Sequence, residues 1–126
     1  MPFTTTTRTE TQVHNHAVGK IVTSSATAAA ASVICGFLPR VVRIHNLTDR
    51  ISDEWYEGMA AASSLHTIAT GVRTLETTNG VTVGEVTKTL NDVDIAAGVT
   101  AKVGKGFTLT ATTLVASKTF YWEAIG

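Results

Sequence analysis

The run Phe107-Thr108-Leu109-Thr110-Ala111-Thr112-Thr113-Leu114 decides the fold class. Phe107, Leu109 and Ala111 alternate with Thr108, Thr110 and Thr112. Apolar residues at every second position give a pleated strand one oily side and one hydroxyl side, whereas on a helix they would scatter around the axis. The closing stretch KTFYWEAI, residues 118–125, has the same period, with Phe120, Trp122 and Ala124 on one face and Tyr121 and Glu123 on the other. Just upstream, Val99, Ala101 and Val103 alternate with Thr100 and Lys102. The Gly104-Lys105-Gly106 that follows predicts a short hairpin-like connection.

The middle of the chain extends the pattern. LPRVVRIHN, residues 38–46, lets Leu38, Val42 and Ile44 share a face, with Arg40, Arg43 and His45 largely outside or at an edge. A polar break at Asn46–Arg50 separates it from ISDEWYEGM, where Ile51, Asp53, Trp55 and Glu57 alternate with Ser52, Glu54 and Tyr56. SLHTIATG and VRTLETT are two further strand candidates, and Asn79-Gly80 predicts a turn before VTVG. Only ATAAAAS and NDVDIAAG are open to a helical turn. Twenty-three of the 126 residues are threonine, whose β-branch suits a pleated surface. Roughly seven to nine short strands at this spacing predict a sandwich or jelly roll. The expectation is an all-β, single-domain antiparallel β-sandwich, jelly-roll-like, over residues 17–126, with Val42, Ile44, Phe107, Leu109, Phe120 and Trp122 in its core. Residues 1–16 are polar and read as an extended N-terminal arm, whose threonines and Val13 suit addition to an exposed sheet edge.

Charge and composition exclude several functions. Ten Lys plus Arg balance ten Asp plus Glu, and no basic run offers the excess that displaces counterions from phosphates. Nucleic acid and a charged membrane surface are therefore not expected partners. No stretch approaches the roughly 20 apolar residues of a membrane span, and MPFTTTTRTETQ lacks the apolar core of a signal peptide. Cys35 stands alone in an apolar run and reads as a small core residue, with no disulfide and no multi-cysteine zinc site available.

Each chemical constellation falls short of a site. His14 and His16 share a side of an extended segment but supply only two of the ligands a metal needs. Asp49, Asp53, Glu54 and Glu57 gather around Trp55 and Tyr56, a grouping that in principle suits glycoside hydrolysis or calcium. No EF-hand spacing accompanies them, and alternating acids on a strand are more simply its wet face or a docking patch. There is no G-x-S-x-G, no Walker loop and no G-x-G-x-x-G opening a helix. No catalytic, cofactor-binding or metal residue is assigned, and the expected activity is protein binding.

Four segments carry a family resemblance. Gly36 through Asn46 reads G-F-x-P-R-x-V-R-x-x-N, and Glu54 through Met59 reads E-W-x-E-G-M. The Thr78–Gly80 turn and the Gly106–Ala124 strand pair, G-F-T-L…Y-W-x-A, complete the set. In these the chain resembles small virion proteins of tailed bacteriophages, over about three quarters of its length and not in the arm. The resemblance implies a capsid decoration (cement) protein, made in the host bacterial cytoplasm and carried on the capsid surface of the virion. Its implied partners are the major capsid protein and neighbouring copies of itself, as dimer or trimer, with no cofactor. A tail or head fibre component, or a receptor- or carbohydrate-binding module, is the alternative. The candidate interface comprises Arg8, Val13, Arg40, Arg43, Asp53, Glu54, Tyr56 and Tyr121.

Overall fold

A computed structural model describes residues 15–90 and 99–126, the side chains of 87–90 and 99–103 excepted. The elements are β1 (His16–Val22), β2 (Ala31–Ile34), β3 (Val41–Asn46), β4 (Ile51–Tyr56), β5 (Ser63–Thr67), β6 (Arg73–Leu90), β7 (Val99–Leu109) and β8 (Thr119–Ile125). No helix occurs among the described residues, so ATAAAAS is irregular chain leading into β2. NDVDIAAG lies outside the described residues.

All pairings are antiparallel, in the order β1-β8-β3-β4-β5-β6-β7-β2. Strands β3 to β7 form a meander; β8 returns to the far side of β3, and β1 and β2 are the outermost strands. Strand β6 belongs to both halves: Arg73–Glu76 pair with β5, and Thr82–Leu90 with β7. The fold is thus a single all-β domain. Where a sandwich of two separate sheets was expected, one sheet curls over along β6 and holds its core between the two halves.

That core is the period-two set. Val42, Ile44, Phe107, Leu109 and Phe120 are fully buried, joined by Trp55, Val81, Leu114 and Ala124. Trp122 is half-buried and meets Phe107 edge-on, ring centroids 5.4 Å apart. Leu38 departs from the expected face and is exposed, because β3 begins only at Val41.

Two glycine signals read as turns sit inside strands. Asn79 and Gly80 lie in a four-residue irregularity of β6, residues 77–80, where the register jumps from Ser64↔Glu76 to Ser63↔Val81. A Cβ on Gly80 would strike the Ser63 backbone, so the missing side chain serves close approach and not reversal. Likewise Gly104-Lys105-Gly106 runs within β7, and a Cβ on Gly106 would strike the Val33 carbonyl of β2. The FTLTATTL strand also ends early, at Leu109. Beyond it, Thr110 and Thr113 hydroxyls bond to the Asn79 carbonyl at 3.2 and 2.9 Å, and Leu114 N bonds to the Thr110 carbonyl at 3.0 Å. Threonine hydroxyls here compete with the ladder and turn the chain.

Candidate docking face

Period two gives strands β1, β8, β3 and β4 a common outer face. Register aligns His16, Ile125, Val41 and Tyr56 in one row, and Val18, Glu123, Arg43 and Glu54 in the next. Lys20, Tyr121, His45 and Ser52 form the third. Of the sequence-predicted interface, Arg43, Glu54, Tyr56 and Tyr121 stand on this face. Arg40 lies at its margin, its Nε bonded to Glu57 at 2.9 Å. Arg8 and Val13 lie outside the described residues.

Asp53 does not belong to the face. It is only 5% exposed, because the alternation that sends Trp55 inward sends Asp53 inward too. Its Oδ1 accepts from Ser64 Oγ at 2.8 Å and pairs with His66 Nδ1 at 2.9 Å. Those partners compensate the burial of a carboxylate. Asp53 is therefore a structural acid. The acidic grouping around Trp55 divides, with Glu54 outside, Asp53 inside, and Trp55 itself buried with its indole N–H on the Ala60 carbonyl at 3.3 Å.

On the face, charged and aromatic groups form one chain of contacts. His16 Nε2 lies 3.0 Å from Glu123 Oε2, and Arg43 Nη1 donates to Glu123 Oε1 at 2.8 Å. The Arg43 guanidinium stands 6.0 Å from the Tyr56 ring centroid, and the Tyr56 hydroxyl donates to Glu54 at 2.6 Å. Lys20 sits 5.9 Å from the Tyr121 ring centroid. The His16 ring and the Arg43 guanidinium hold the Glu123 carboxyl below the usual carboxylate range. Tyr56 and Glu123 in turn raise Arg43. Tyr56 is 38% and Tyr121 44% exposed, so both rings are held in place by neighbours while still showing a surface. His16, Glu123 and Lys20 were not singled out as interface residues. Only the cross-strand register, which brings β1 beside β8 and β8 beside β3, places them there.

Such a face can dock another surface. Arginine and tyrosine held by fixed partners lose little freedom on binding and offer both area and hydrogen bonds. Among the described residues no group of three or more His, Cys, Asp or Glu is placed to hold a metal ion. Comparisons with protein-family models, with curated proteins and with solved structures find no match to this chain.

Proposed function

We propose that the chain is a tailed-bacteriophage virion protein that decorates and stabilises the capsid, docking between major capsid protein subunits through the outer face of β1, β8, β3 and β4. The observation that carries this reading is the set of pre-positioned, exposed or half-exposed groups on that face, Arg43, Tyr56 and Tyr121 above all. The resemblance of Gly36–Asn46, Glu54–Met59 and Gly106–Ala124 to phage virion proteins supports the same reading. A rigid sheet with an anchored aromatic and charged surface suits a task that needs adhesion and no chemistry.

Quantitative mass spectrometry of particles containing the chain tests it. A copy number that tracks the major capsid protein is expected; one that tracks tail or fibre components would sink the decoration reading. Tyr56→Ala with Arg43→Glu should leave the free protein folded and reduce its recovery on particles.

One observation favours the second reading, a carbohydrate-binding module on a fibre. A shallow hollow of about 450 Å³ is lined by Val18, Lys20, His45, Tyr121, Trp122 and Glu123, an aromatic surface beside polar groups. Binding to a glycan array that Tyr121→Ala abolishes, with no binding to shells, would select it.

A further inference from the structure

Both ends of the curled sheet are open. Among the described residues β1 pairs only with β8, and β2 only with β7. The curl brings these ends together: Phe107, cross-strand from Val33 of β2, touches Trp122, cross-strand from Gly19 of β1. At one end of the gap, residues 23–30 connect β1 to β2 directly. At the other end Phe37, just past β2, lies 2.5 Å from where a Cβ on Gly126 would stand, and Asn15 lies 3.0 Å from that point. Strands β1 and β2 therefore run antiparallel along the two sides of one slot, each with an unpaired edge toward it.

Along this slot the core is covered by partly buried side chains. Ile21, Val33, Cys35, Phe37 and Trp122 all pack on the buried cluster while remaining only partly buried. At the end formed by residues 23–30, Ile21, Leu114 and Ala26–Ala31 line a hollow of about 200 Å³. Unpaired strand edges are templates for a further strand.

The chain carries a segment of matching pattern. In TTTTRTETQV, residues 4–13, Thr5, Thr7, Thr9, Thr11 and Val13 are all β-branched and uncharged, while Arg8 and Glu10 fall at the alternate positions. Extended, this segment presents one side suited to a half-buried surface and one suited to water. Asn15 indicates whose slot it fills. Gly126 N donates to the Asn15 carbonyl at 2.7 Å, so the chain still runs straight along β8 beyond the end of β1, away from its own slot. Fourteen extended residues reach about 46 Å, roughly twice the length of the seven-residue β1, so the N-terminal part of the segment can span a strand while the remainder crosses to a neighbour.

We propose that the segment 4–13 of one copy crosses to a second copy, its N-terminal part lying as an added strand in the slot between that copy's β1 and β2. The inference goes beyond the capsid reading and is tested on the free protein, so the two can fail separately. In a Cys35→Ser background, Ser32→Cys marks the lip of the slot, Arg8→Cys or Glu10→Cys marks the segment, and Thr70→Cys, in the exposed β5–β6 loop, is the control. Mild oxidation of a mixture of isotopically heavy and light protein, followed by peptide mass spectrometry, reads the cross-links. Threading the slot raises the local thiol concentration from about 10 μM to about 1 mM, so cross-linking to Ser32→Cys should exceed the control by about a hundredfold, with mixed heavy–light pairs. Deleting residues 2–14 should turn an oligomer in light scattering into a monomer with unchanged β-sheet circular dichroism. Cross-links of a single label only would place the segment in its own slot and overturn the proposal. So would cross-linking no greater than the control, or an unchanged oligomer after the deletion.

Discussion

Strands β3 and β8 have two sides that obey different rules. Inward, Val42, Ile44, Phe120 and Ala124 are sealed from water; outward, one residue along, Arg43, His45, Tyr121 and Glu123 are exposed or half-exposed. The same backbone ladder holds both sets. The inner side is held by shape, because each side chain fills space that no other group can fill. The outer side is held by pairing, through His16–Glu123, Arg43–Glu123 and Tyr56–Glu54. The difference teaches that stability and adhesion are written on alternate residues of the same strands, so they can be separated by substitution.

The largest expected effect is on the inner side. Phe120→Ala or Phe107→Ala should cost about 3–5 kcal/mol, the usual loss for a buried aromatic, from a domain whose total stability is of order 5–15 kcal/mol. Urea denaturation followed by tryptophan fluorescence measures it. A loss under about 1 kcal/mol would mean the core is not packed as described.

Asp53 sharpens the comparison because it is a charge on the shape-determined side. Asp53→Ala leaves Ser64 Oγ and His66 Nδ1 without their shared acceptor and should cost about 1–3 kcal/mol. Asp53→Asn retains a carbonyl oxygen for Ser64 and should cost less. If the two substitutions melt alike, the hydrogen bonds are not what tolerates this buried acid. On the outer side, Tyr121→Ala or Arg43→Ala should change stability by no more than about 0.5 kcal/mol. The same variants should weaken attachment to particles. An outer-face variant that unfolds the domain would erase the distinction between the two sides.

How far the sequence disclosed this arrangement depends on the range of the signal. Period two is local, and it identified β3, β8 and the Phe107–Leu109 end of β7 with their inward residues, and the outward position of Arg43, Tyr56 and Tyr121. It also marked β4 as a strand, but without placing Trp55 inside. The breaks at Asn46–Arg50 and before β6 were legible for the same reason, but β1 and β2 were not named as strands, and β6 and β7 were each read as two. Glycine was misread twice, because a residue that allows a turn also allows close approach. Gly80 and Gly106 serve the second purpose, and only the neighbouring strand makes that visible. Asp53 was read as wet although its alternation with Trp55 pointed inward; the Ser64 and His66 that make its burial tolerable come from another strand. The curl of one sheet about β6, and the slot that it leaves between β1 and β2, depend on long-range pairing that no local pattern contains.

The smallest expected effect concerns acid. Glu123 on the outer face, Asp49 in the β3–β4 turn and Glu76 in β6 are held below their ordinary values of 3.8 for aspartate and 4.5 for glutamate. Glu123 is held by His16 and then Arg43, Asp49 chiefly by Lys118, and Glu76 by the backbone N–H groups of Asn79 and Thr78. A carboxyl whose folded value is depressed binds its proton more readily in the unfolded chain. Its contribution is therefore complete above the ordinary value and is lost as pH falls through the folded one. From these three groups, stability should hold level from neutrality down to about pH 5 and then decline. Glu123→Gln removes one of them. The variant should be slightly less stable than the parent at pH 7 and should converge with it toward pH 3, because the parent carboxyl is by then becoming neutral as well. Thermal melts of both proteins across that range supply the measurement. A difference between them that stays constant with pH would show that the Glu123 charge, with its His16 and Arg43 partners, contributes nothing to holding the outer face together.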